Sequence, residues 1–178
     1  MKFHNSDKNI GFNSRSVNPQ FRFVPMSLEQ AEELCGWRYE PPFDLYGWPD
    51  WSRMKAEGIE FGDETIRRQQ YMTAIDHEGH MIGFLQLFPM LGVTRLGLGL
   101  RPDLCGRGFG PAFANAAAEE ALRQAPDNAV DLEVLTWNIR AIRAYQRAGF
   151  VIEDTYERPT PTGLAEFHCM IYTGASLD

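Results

Sequence analysis

The sequence is poor in the features that mark most specialised protein classes. It has three cysteines, Cys35, Cys105 and Cys169, too few and too widely spread for a disulfide framework. No C-x-x-C or H-x-x-x-H pair offers zinc-ligand spacing. His77 and His80 flank an expected turn at 76–79, which is too little for a metal site, and none is assigned. Apolar runs are broken by charge or glycine within about ten residues, short of the ~20 that a membrane helix needs. Basic side chains are outnumbered, 17 Lys and Arg against 24 Asp and Glu, for a formal charge of −7. The clustered cations that meet nucleic acid or an anionic membrane are therefore not expected. No segment ends in the Gly-Lys-Ser or Gly-Lys-Thr of a P-loop. The polar start has no apolar signal core, so a cytoplasmic chain with reduced thiols is expected.

What is present is an ordinary globular composition: 178 residues, 44% hydrophobic and 23% charged. That length suits one core. Residues 1–20 read as a polar arm and 21–178 as a single domain. Strands are expected at 21–24, 71–75, 81–88, 94–100, 130–135, 150–156 and 166–172, with Pro89 closing the third. Ser27 caps a first helix with Gln30 in capping-box position, and Gly36 ends it. A second helix runs over 110–124 with Pro111 in its first turn, and a third over 138–148. The order reads as α/β with a mixed sheet. Residues 37–51 hold six aromatics among three prolines, so no long regular element fits there. They form either a plug at the core edge or a wall for a substrate.

Two segments carry chemistry. Leu104-Cys105-Gly106-Arg107-Gly108-Phe109-Gly110 joins a glycine-rich strand to an alanine-rich helix. Its glycines let several backbone N–H groups converge on one anion, with the helix N-terminus behind them. A pyrophosphate suits that loop. As a dinucleotide fingerprint, Gly106 to Gly110 comes one residue short and follows residue 100, late for a first βαβ unit. Further on, Asn138 is a good N-cap and Gly149 a good C′ residue. Asn138 and Tyr145 share one helix face, about 10 Å apart along the axis. Arg140, Arg143 and Arg147 are expected on a different, solvated side.

Together, from Leu96 to Phe150, these segments resemble the GNAT superfamily of acetyl-CoA-dependent N-acetyltransferases. Leu100-Arg101-Pro102 and the glycine loop resemble that family's strand end and pyrophosphate loop. Asn138, Ala141, Tyr145 and Gly149-Phe150 match its later strand-helix segment. The resemblance implies a mixed, largely antiparallel central sheet with helices on both faces. It implies acetyl-CoA as cosubstrate and direct transfer to a primary amine on a small molecule or peptide. The backbone of Leu98, Gly99 and Leu100 would pair with the pantetheine arm. Backbone amides of Cys105, Gly106, Arg107, Gly108, Phe109 and Gly110 would hold the pyrophosphate. Asn138 would hydrogen-bond the pantetheine or its neighbours, and Tyr145 would protonate the departing thiolate. A homodimer is among the implied assemblies, and a non-catalytic acyl-CoA sensor of the same fold is the alternative.

Two departures stand out. Cys105 occupies a place where relatives commonly have Arg or Gln, and 90–100 contains no carboxylate to deprotonate the amine. Glu133 on the neighbouring strand is taken as the base, with Glu40, Asp44 or a water chain as alternatives.

Overall fold

The computed structural model describes residues 21–174, so the polar arm lies outside the described residues. Seven strands form one sheet: β1 (Arg22–Pro25), β2 (Tyr71–Ile75), β3 (Met81–Met90), β4 (Val93–Leu100), β5 (Ala129–Leu135), β6 (Phe150–Thr160) and β7 (Gly163–Tyr172). Their spatial order is β1-β2-β3-β4-β5-β7-β6. Every neighbouring pair is antiparallel except β4 and β5. This is the mixed, mostly antiparallel sheet that the element order implies.

Five helices cover it: α1 (Leu28–Cys35), α2 (Trp51–Glu57), α3 (Glu64–Gln70), α4 (Gly110–Gln124) and α5 (Ile139–Arg147). Period-two alternation on the strands feeds two cores. On β3, Leu85 and Leu87 join Ala114, Ala117 and Ile142 of α4 and α5 on one face. Phe84, one residue before Leu85, packs with Leu34, Met54 and Phe61 on the other. Ser27 and Gln30 close the expected capping box on α1, and Gly149 stops α5 at φ 100°.

Three sequence expectations are corrected. β3 does not stop at Pro89 but runs on to Met90. Pairing with β2 ends at Gln86, so the missing N–H of Pro89 falls on an unpaired edge and costs no ladder bond. The helices α2 and α3 fall in a region given no elements; Asp50 and Asp63 cap them, accepting from the backbone N–H of Arg53 and Ile66. The closing hairpin β6–β7 is longer than expected, paired from Phe150 with Tyr172 out to Thr160 with Gly163.

The parallel pair β4–β5 holds register only from Val93 with Ala129 to Leu96 with Leu132. Beyond that the strands part. Gly97–Leu100 keeps β3 as its neighbour and Glu133–Leu135 keeps β7, so the edges facing each other across the gap have no ladder partner. The last turn before the parting is stitched by Arg95, register partner of Asp131, which it grips through Nε and Nη2 at 3.0 and 2.6 Å.

Candidate active site

The gap between β4 and β5 opens into a cleft of about 940 Å³. Leu98, Gly99 and Leu100 line it from β4, and Glu133 to Leu135 from β5. Gly97 and Gly99 have a structural reason inside the chain. A Cβ on Gly99 would stand 2.5 Å from the Phe84 ring, and one on Gly97 would stand 3.0 Å from the Gln86 amide. The close approach that these glycines signal is thus made by β3 side chains.

The glycine loop forms one end. Gly106 and Gly108 sit at φ 76° and 85°, in the left-handed region where a side chain is strained. Cys105, Gly106, Gly108 and Gly110 line the cleft, whereas Arg107 and Phe109 do not. Phe109 caps α4 without a side-chain hydrogen bond, leaving the first amides of the helix as open donors beside the loop. Arg101 is turned to Asp103, at 2.7 Å, and to the carbonyl of Met81. The Cys105 Sγ lies 3.8 Å from the Leu100 carbonyl oxygen, and burial raises its pKa, suppressing the thiolate.

Beside the loop, where a Cβ on Gly110 would stand 3.0 Å from Ala144, α5 supplies Asn138 and Tyr145 to the same cleft. Asn138 works in two directions: its Oδ1 accepts from the backbone N–H of Ala141, and its Nδ2 donates to the Tyr46 hydroxyl at 3.0 Å. Tyr145 packs on Phe150, and burial, with the nearby Tyr46 adding to it, raises its phenol above the ordinary range. Arg140, Arg143 and Arg147 are not confined to a separate solvated side. All three line the cleft, because an arginine stem is long enough to reach round a helix to a neighbouring groove.

The aromatic segment is plug and wall at once. Trp37 is buried, and Trp48 packs edge-on against Phe61 and Phe84. Between them the chain crosses the gap as a strap. Tyr39 donates to the Leu100 carbonyl at 2.8 Å on the β4 side. On the α5 side, Tyr46 is bonded to Asn138, and Phe43 packs on Trp137 with the Arg140 guanidinium 3.8 Å above its ring. Glu40 and Asp44 are exposed and do not line the cleft.

Glu133 is the one carboxylate among the lining residues. Its oxygens are crowded with donors: Arg95 Nη1 at 3.0 Å, Arg158 Nη1 at 3.0 Å, and the Tyr156 hydroxyl. Burial, with that bond to Glu133 adding to it, pushes the Tyr156 phenol up to about 12. Arg158, on β6, also lies 4.3 Å above the Phe167 ring. Sequence reading did not single it out, although Tyr156 and Arg158 share one strand face by period two. Elsewhere, Asp76, Glu78 and His80 come within 4.8 Å of one another on the exposed β2–β3 turn, where Asp76 Oδ1 accepts from the Glu78 and His80 backbone.

A sheet parted at its one parallel junction, with a glycine loop and a helix N-terminus at the mouth, leaves a cleft open to an extended, anion-bearing ligand. Residues 28–150 match the acetyltransferase (GNAT) family, and the chain belongs to that family. It is an acyltransferase. Solved structures of the same fold include a spermidine N-acetyltransferase chimera from Vibrio cholerae and the human enzyme. It has a TM-score of 0.70 and 15% identity, covering 86% of this chain and 95% of the other. The Vibrio cholerae spermidine N-acetyltransferase bound to CoA and spermine matches at 0.65 and 14%, covering 87% and 97%. The ribosomal-protein-S18-alanine N-acetyltransferase from Escherichia coli matches at 0.58 and 16%, covering 89% and 97%.

Proposed function

We propose that this chain is an N-acetyltransferase that moves the acetyl group of acetyl-CoA directly to a primary amine within a ternary complex. The observation that carries the reading is the parted β4–β5 junction, which brings the glycine loop and Tyr145 to one cleft. The unpaired edge of Leu98–Leu100 receives the pantetheine arm as a further strand. Backbone amides of 105–110 and the start of α4 hold the pyrophosphate. Asn138 keeps one Nδ2 hydrogen for the pantetheine while its other bonds hold α5 and the strap.

The amine nitrogen attacks the thioester carbonyl carbon, the carbon–sulfur bond breaks, and Tyr145 passes its proton to the departing sulfur. Its raised pKa keeps that phenol protonated throughout the working range. A thiol pKa of about 8.5 means that hydrogen bonding alone does much of this work. The half-buried Cys105 thiol, which sits in the phosphate loop and whose pKa burial raises, makes a poor acyl carrier, which favours direct transfer over a covalent relay. Glu133, with three donors on its two oxygens, acts as the counter-charge that fixes Arg158; the amine gives its proton to water at the open mouth, and Tyr145 regains one from water before the next turnover. Calorimetry with acetyl-CoA, followed by a thiol-release assay over an amine panel, tests the reading. Acetyl-CoA binding and CoA release with at least one amine are expected. Binding without release on any amine, or no binding at all, overturns it.

A further inference from the structure

The charge of the cleft is opposite to that of the chain. The whole sequence carries −7, yet the charged groups lining the cleft are Arg140, Arg143, Arg147, Arg158 and Glu133. Three of those arginines stand on α5, on the side of the glycine loop. Arg158 stands apart from them on β6, where Phe167 of β7 and Glu133 of β5 are its neighbours. Glu133 itself lies between Arg158 and Arg95, which also holds Asp131, so it is paired on both oxygens and not open to a cationic acceptor.

Arg158 is placed as a recognition group. Its ring contact and its Nη1 bond to Glu133 fix the plane of the guanidinium. It remains 49% exposed, and its Nε and Nη2 hydrogens have no partner among the described residues. A guanidinium held flat with an open edge matches the two oxygens of a carboxylate or phosphate, whereas a lone ammonium finds nothing to accept its hydrogens there.

Resting on the acetyl-transfer reading, we infer that the acceptor is a primary amine that also carries an anionic oxygen group, with Arg158 binding that group. A polyamine finds no counterpart beside Arg158, because Glu133, the one carboxylate among the lining residues, already faces Arg95 and Arg158.

A CoA-release assay at fixed acetyl-CoA tests this over four primary amines of matched length: an aminocarboxylate, an aminoalkyl phosphate, an uncharged amino alcohol, and spermidine. One of the two anionic amines is expected to exceed the uncharged amine and spermidine in kcat/KM by tenfold or more, and the stronger of the two identifies the oxygen group. Arg158→Gln is expected to cut that preference at least fivefold through KM, and Arg158→Lys to retain part of it. Circular dichroism confirms that both variants fold. Preference for spermidine or the neutral amine overturns the inference and leaves acetyl transfer standing, as does a preference unchanged in a folded Arg158→Gln. Absence of CoA release with every amine tested overturns the acetyl-transfer reading, and the inference falls with it.

Discussion

Tyr145 reaches the cleft from α5 with a phenol that burial makes a weaker acid than usual. Tyr145→Phe is expected to lower kcat tenfold or more and leave acetyl-CoA affinity near normal. The sign of the shift fixes the pH behaviour as well. A raised phenol stays protonated and competent as pH climbs, so the wild-type rate rises with amine deprotonation and shows no phenol-dependent fall between pH 7 and 9.5. A pH–rate profile of both proteins checks this; a fall in kcat approaching pH 9 that vanishes in the variant counts against it. Arg95 is the residue on which stability turns. It serves two carboxylates whose side chains are only 9% and 11% exposed. Arg95→Leu leaves Asp131 without its bidentate partner and is expected to cost about 3 kcal/mol in urea denaturation. A loss below about 1 kcal/mol removes Arg95 from that role.

At the scale of elements, legibility followed the length and clarity of local signals. The α4 bounds coincide with those expected, because Pro111 and the alanine spacing mark both ends of fifteen residues. The capping box of α1 and the β2–β3 hairpin were equally plain. The helices α2 and α3 were missed because seven residues each give barely two turns, too few to show a period beside Pro41, Pro42 and Pro49. Within the site, the glycine loop and the Asn138–Tyr145 face could be read in advance. The α5 arginines could not be placed, since backbone periodicity says where a Cβ points and not where a long stem ends. Arg158 was out of reach for another reason. Its neighbours Glu133 and Phe167 lie on other strands, joined to it only by the sheet order β5-β7-β6.

The whole molecule holds its thiols in neutral form. Burial pushes both Cys35 and Cys169 up from 9.0 to about 11. An acid whose pKa is higher folded than unfolded stabilises the fold fully below its unfolded value and loses that contribution as pH rises through the folded one. The melting temperature is therefore expected to fall between pH 9 and pH 11. Replacing both cysteines by alanine flattens that slope even where it lowers stability overall, and an unchanged slope in the double variant sinks the explanation. At this scale too, the charge has a geography: the acidic excess lies outside the cleft, and the cationic groups gather where they can serve phosphates and an anionic acceptor.

The short parallel register between β4 and β5 makes the molecule two half-sheets joined at a narrow waist. Four backbone pairs, the bridges from Arg95 to Asp131 and Glu133, the core shared under α4 and α5, and the aromatic strap connect them across it. Opening fluctuations concentrate at such a waist, so the amides of Val93–Leu96 and Ala129–Leu132 that bond between β4 and β5 are expected to exchange faster than those that join β3 to β4. A donor lodged in the gap adds rungs to the waist. Saturating acetyl-CoA at a hundred times its dissociation constant adds about 2.7 kcal/mol to global stability, and the slowing of exchange is expected to be greatest at those eight residues. Equal slowing across the sheet would mean that the halves already move as one body. If it concentrates at the waist, the donor is a mechanical part of the protein as well as its reagent, and each turnover loosens and refastens the sheet.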